Sequence, residues 1–190
     1  DNTMKCWGQR GESPSTGYLG DGQINGNSFT PAEVLLDDEQ GNSSAIETAS
    51  YGHHSCAVMA DNSLKCWGND WNGQVGHNVS GGWHSTPFPT TMPNGLTAIQ
   101  SAAGLHTSCA IMDDFSLWCW GDNDPQGQVG IGNTSQGNIA IPQQIDLPPN
   151  RTAISVVYGH DYGCAILDNG HGMCWGDNQG AQLGDGTTEN

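Results

Sequence analysis

The chain has 190 residues, with four Lys and Arg against twenty Asp and Glu, a net charge of −16 at neutral pH, and 28 Gly, nine Pro and seven Cys. That field repels phosphate backbones and anionic membrane surfaces, which argues against nucleic acid as a partner, and no stretch reaches the roughly 18 apolar residues that would insert in a membrane. No window keeps a 3.6-residue apolar period over three turns, so helix is expected to be nearly absent, and short alternating runs between Gly-rich turns read as all-β.

The elements repeat in chain order. Cys6-Trp7-Gly8 comes first, followed by turn-rich sequence and a segment from Pro31 to Val34. Proline has no amide donor, so that segment is expected as an edge strand. An apolar run from Ala45 to Ala49 then leads through Gly52 and His53-His54 to the strand Cys56-Ala57-Val58. A tight turn and the strand ending Cys66-Trp67-Gly68 follow, then the tail Gly73-Gln74-Val75-Gly76 and a second edge segment from Pro89 to Met92. The order returns from Ala98, through Cys109, Cys119-Trp120-Gly121, Gly127-Gln128-Val129-Gly130 and Pro142 to Ile145. It returns again from Ala153, through Cys164, Cys174-Trp175-Gly176 and Gln182-Leu183-Gly184. The tryptophans 7, 67, 120 and 175 step by 60, 53 and 55 residues, a period that marks a repeat architecture. Residues 1–44 are the back half of a repeat plus linker, 45–97 and 98–152 are full repeats, and 153–190 is the front part of another.

Each Cys-x9-Cys pair is open to reading as a metal half-site, as buried thiols or as a disulfide; metal ligands favour closer spacing. If the two runs form a hairpin, the loop Ala60-Asp61-Asn62 sets Cys56 opposite Cys66, within disulfide reach. The third loop residue adopts left-handed backbone, which suits Asn62 and Gly170. Phe115 stands there in the middle copy, so that turn is expected to differ. Cross-strand disulfides Cys56–Cys66, Cys109–Cys119 and Cys164–Cys174 are expected, with free core thiols as the alternative, and Cys6 is left unpaired. Disulfides of this density point to an oxidising compartment. Adjacent Cys and Trp face opposite sides of a strand, so Trp7, Trp67, Trp120 and Trp175 are expected in a core between packed sheets. Four short strands per unit suit a propeller or a solenoid; covering both faces favours the propeller.

The pattern Gly-x-x-His-[Ser/Thr], then Trp-Gly-x-Asn-x-x-Gly-Gln-[Leu/Val]-Gly, resembles the regulator of chromosome condensation repeat across essentially the whole chain. The resemblance implies a seven-bladed β-propeller of four-stranded blades, here a partial ring of about three to four, with the missing blades on the same longer chain. Asp1 carries no leader, and the chain is read as a processed form or a piece of something longer. The Cys pairs look like those of secreted, disulfide-bearing relatives. His106 sits one residue nearer its Gly than the family spacing, and Tyr162 takes the His place in the last copy.

The histidines His53, His54, His84, His106, His160 and His171 read as turn residues, and His77 as lying in a tail with nothing nearby to complete a triad. Asp122-Asn123-Asp124-x-x-Gly127 has the look of a partial Ca²⁺ loop without its closing Glu, and reads as an Asx-rich turn. No nucleophile elbow, Walker loop or His-Glu-x-x-His occurs, so no catalytic, cofactor or metal residues are assigned and the chain is read as not an enzyme. Trp71 and Trp83, in Gly- and Asn-rich loops, are the candidate ligand contacts. Asn42, Asn78, Asn133 and Asn150 head N-x-[ST] sequons. The expected role is an extracellular or cell-surface scaffold that binds another protein or further copies of itself. The alternatives are a structural subunit of an extracellular filament or surface layer, and a carbohydrate-binding module using Trp71 and Trp83.

Overall fold

The computed structural model describes residues 3–11, 17–36, 44–93 and 95–190. Among these there are thirteen strands in four antiparallel sheets, and no helix is long and apolar enough to cross a membrane. A two-stranded sheet pairs β1 (Lys5–Gln9) with β2 (Asn27–Glu33). The first complete blade runs β3 (Ala45–Tyr51), β4 (His54–Met59), β5 (Leu64–Asn69) and β6 (Trp83–Pro89) in spatial order. The second runs β7 (Ala98–Ala103), β8 (Thr107–Met112), β9 (Leu117–Gly121) and β10 (Ile139–Gln144). A three-stranded blade follows from β11 (Ala153–Tyr158), β12 (Tyr162–Leu167) and β13 (Gly172–Gly176). The inner strands β3, β7 and β11 touch in succession, so the sheets stand side by side as a partial propeller.

The β4–β5 register sets Cys56 opposite Cys66, and the corresponding pairs are Cys109 with Cys119 and Cys164 with Cys174. All three are disulfides, with Cα atoms 4.0–4.1 Å apart. The turns between these strands are alike in all three copies, which corrects the expectation for Phe115. Asn62, Phe115 and Gly170 have φ of 63°, 63° and 81°. Each turn is tied by an Asx cap: Asp61, Asp114 and Asn169 accept the amides of Ser63, Ser116 and His171. Left-handed backbone at Asn62 and Phe115 aims their carbonyls at the next blade, where they accept the amides of Ala98 and Ala153 at 3.0 Å. That inter-blade bond offsets the roughly 1–2 kcal/mol that a side chain pays in this region.

The outer strands correct the placement of the proline segments. Proline closes β6 at Pro89 instead of opening a strand toward Met92, and β2 and β10 contain Pro31 and Pro142 within them. Trp83 therefore opens a strand, paired with Asn69, and does not sit in a loop.

Disulfides and indoles occupy opposite faces. Cys56 and Cys66 share one buried cluster with Trp120 of the following blade, while Trp67 packs with Val34 and Leu36, which follow β2. Trp67 and Trp120 are fully buried, and Trp175 is partly buried against the main core. Trp7 is the exception to the expected core. It is 65 % exposed, because its face of β1 has no further sheet against it among the described residues.

Candidate functional site

Each indole docks on the tail of the blade before it. Trp67 Nε1 donates to the carbonyl of Tyr18 (3.1 Å), Trp120 Nε1 to that of Gln74 (2.7 Å) and Trp175 Nε1 to that of Gln128 (3.0 Å). Gly20, Gly76 and Gly130 lie beneath the rings, where a Cβ would stand 2.6–2.7 Å from an indole atom. A second donor completes the junction. Ser108 Oγ donates to Gln74 O at 2.9 Å; the next copy has Gly163 at that station, and the Tyr158 hydroxyl donates to Gln128 O instead. Tyr158 fills the space that Gly163 leaves, since a Cβ there would meet its ring at 2.5 Å. Glu47 and Gln100 reach across the same junctions, accepting the amides of Ser101 and Val156.

The histidines ahead of Cys56 and Cys109 divide into two stations. His53 and His106 are equivalent, their carbonyls facing Gly68 and Gly121, and their rings lie 6.4 Å apart. His54 is instead a buried strand residue where the other copies carry Thr107 and Tyr162. Because Ser108 Oγ spends its proton on Gln74, it accepts from His54 Nε2 at 2.8 Å. Burial, with smaller effects from His106 and His53, pushes the His54 imidazole down to about 3, so it stays a neutral donor.

In an antiparallel blade, the turn between the first two strands and the tail between the last two emerge on one face. That face carries the His53 and His106 turns, Trp71, and the junction of Asp70, His77 and His84. Asp70 Oδ2 lies 3.3 Å from His77 Nδ1 and 3.6 Å from His84 Nε2. His77 therefore does have partners, contrary to the sequence reading. The available signal was Asp70 at a station where the other tails carry Asn123 and Asn178.

Between β1 and β3 runs a groove of about 550 Å³, lined by Cys6, Trp7, Tyr18, Tyr51 and His53 among others. Among the described residues strand β1 pairs with β2 alone, and Trp7 and Tyr51 are exposed beside it. Cys6 is a free thiol packed near Trp67, and burial followed by the Asp21 carboxylate raises its pKa.

Two stretches, residues 116–166 and 46–74, match the family model of the regulator of chromosome condensation (RCC1) repeat. These two stretches are repeats of the RCC1 type. The mouse E3 ubiquitin-protein ligase HERC2 is 27 % identical over 184 residues, which is 94 % of this chain and 4 % of that protein. Human WBSCR16 superposes with a TM-score of 0.79 at 22 % identity, covering all of this chain and 46 % of that one. Yeast RCC1 (Prp20), in a crystal structure with Kap60 bound, gives 0.78 at 22 % identity and is covered to 43 %. The chain thus spans less than half of the propellers it superposes on, and a small fraction of the ligase.

Within these RCC1 repeats, Trp71 is 57 % exposed, whereas Trp83 is half-buried with its ring 5.6 Å from Tyr18. The two make no ring contact with each other among the described residues. Asn123 is buried, accepting the Val129 amide and donating to Asn133 O, so its loop is held by backbone. Asn78, Asn133 and Asn150 are exposed; Asn42 lies outside the described residues.

Proposed function

We propose that this chain is a non-enzymatic propeller segment that binds protein in an oxidising, extracellular or cell-surface setting, as part of a longer polypeptide that supplies further blades. The observation that carries the reading is the blade face that gathers the His53 and His106 turns beside the exposed indole of Trp71. An exposed aromatic side chain presented on rigid blades suits a contact with another protein. Yeast RCC1 crystallised with Kap60 bound, and this chain is read as protein-binding by analogy of fold. Three disulfides support the setting.

Sugar stacking between two indoles is disfavoured by the engagement of Trp83 with Tyr18.

The test places a photoreactive phenylalanine analogue at Trp71 and, as control, at Phe115 on the opposite face, in protein made by its own source. Crosslinks from position 71 to one polypeptide, absent from position 115, support the reading. Equal crosslinking from both positions, or none from position 71, overturns it.

A further inference from the structure

We infer that Asp70, His77 and His84 form a binding site for one divalent transition-metal ion, with Zn²⁺ the best match. The inference starts from the three tails, which carry the same local fold with different side chains. In two of them an amide fills the buried station. Asn123 Oδ1 accepts the Val129 amide at 3.3 Å and its Nδ2 donates to Asn133 O at 2.5 Å. Asn178 Oδ1 accepts the Leu183 amide at 3.0 Å and its Nδ2 donates to Glu189 O at 2.8 Å.

Asp70 keeps the first half of that arrangement, with Oδ1 accepting the Val75 amide at 2.8 Å. It has lost the second half, because a carboxylate has no proton to donate. Its Oδ2 is fully buried and makes no hydrogen bond, and Nδ1 of His77 is likewise a buried nitrogen with none. An orphaned buried carboxylate oxygen is strongly unfavourable unless a positive partner faces it.

Two imidazoles converge on that oxygen. His77 follows Gly76 as Ile131 follows Gly130, and His84 pairs with Gly68 as Ile139 pairs with Gly121. Relative to the next blade, then, an amide and two aliphatic side chains are replaced together by a carboxylate and two imidazoles. An ion pair would account for one imidazole; the second adds a further basic nitrogen aimed at the same point. The three donor atoms lie within 4.8 Å of one another, and the two contacts to Oδ2 are 3.3 and 3.6 Å. A tetrahedral ion with bonds of about 2.0–2.1 Å sets its ligand atoms about 3.3–3.4 Å apart.

The surroundings hold the donors in place. The Asp70 carbonyl accepts the amides of Gly73 and Gly81, and its own amide donates to Gly82 O. Phe88 packs its ring against both imidazoles, at 4.9 and 4.8 Å. Two imidazoles and one carboxylate suit Zn²⁺ or a neighbouring transition ion, not the all-oxygen shells of Ca²⁺ and Mg²⁺. Both imidazoles are partly exposed, with side chains 16 % and 21 % accessible, which leaves an open position for water or a partner's donor.

The test uses the whole chain with disulfides intact, stripped with a chelator and titrated with ZnCl₂ by calorimetry, with Co²⁺ absorption as a second readout. One Zn²⁺ per chain is expected, and a tetrahedral Co²⁺ spectrum. Asp70→Asn installs the residue that the other two tails already carry, so it folds, and it weakens binding by roughly tenfold or more. His77→Ile, the residue of the next blade, does the same, whereas Cys6→Ser leaves binding unchanged. Absence of stoichiometric Zn²⁺ binding, or binding equally tight in Asp70→Asn and His77→Ile, overturns the inference and leaves an ion pair.

Discussion

Replacing Gly76 by alanine tests whether the indole of one blade sits on the tail of its neighbour. The new Cβ would stand 2.6 Å from Trp120 Nε1 and 2.9 Å from Thr90 Cγ2. Trp120 has no room to retreat, being fully buried with its Nε1 bonded to Gln74 O at 2.7 Å. Left-handed backbone at a non-glycine residue costs about 1–2 kcal/mol, and Gly76 has φ +75°. Overpacking adds about 1–3 kcal/mol, and a weakened indole hydrogen bond about 1 kcal/mol, so Gly76→Ala is expected to destabilise by roughly 3–6 kcal/mol in all. Gly95 supplies the control, because its φ is +78° with nothing within 4 Å of the built Cβ. Gly95→Ala should therefore cost only the backbone part, about 1–2 kcal/mol. Equilibrium urea unfolding with disulfides intact, followed by fluorescence, measures both. The double variant Gly76→Ala/Trp120→Phe should cost less than the sum of its parts, since the smaller ring relieves the overlap. Equal losses for Gly76→Ala and Gly95→Ala would refute the docking of Trp120 on the tail.

Three further outcomes follow from burial and charge. His54 is held at about 3 when folded against about 6.5 unfolded, so the unfolded chain binds the extra proton between these values. Its contribution is complete above the unfolded value and is lost as pH falls toward 3, at up to about 1.4 kcal/mol per pH unit. His54→Thr, the residue of the next copy, should flatten urea midpoints measured between pH 6.5 and 4; an unchanged slope contradicts the assignment. Under limiting reductant, Cys164–Cys174, whose residues are only partly buried, should open before the two fully buried disulfides, as followed by alkylation and mass spectrometry; simultaneous opening contradicts it. Alkylation of Cys6 should set in at higher pH than for a small free thiol, because burial and Asp21 disfavour the thiolate; a pH–rate profile matching glutathione would tell against that.

The sheets were legible because their signals are local. A period-2 alternation, a cysteine pair ten apart and an Asx residue in each turn determine β4–β5 and its two counterparts without knowledge of the neighbours. Phe115 was misjudged for the opposite reason. Its left-handed backbone is supported by the Ala153 amide of another blade, and no feature near residue 115 reveals that. The burial of Trp67 and the exposure of Trp7 likewise depend on whether a preceding tail is present, not on the shared Cys-Trp-Gly. The outer strands were displaced because Pro89 ends a strand whose start at Trp83 reads as loop sequence. Asp70, His77 and His84 were hidden more deeply, since a seven-residue spacing gathers side chains on one face only in a helix, and this turn-rich tail carries no helical pattern. Only the return of β6 alongside β5 brings His84 back over the tail.

Hydrogen exchange at the seven indole Nε1–H groups, resolved by ¹⁵N NMR, tests the interlocking of blades most directly. Trp67, Trp120 and Trp175 should exchange slowly, Trp120 slowest of all, while Trp7 and Trp71 exchange at once. Exchange of Trp120 as fast as Trp7 would mean that no tail covers it, and the blades would not be joined as described.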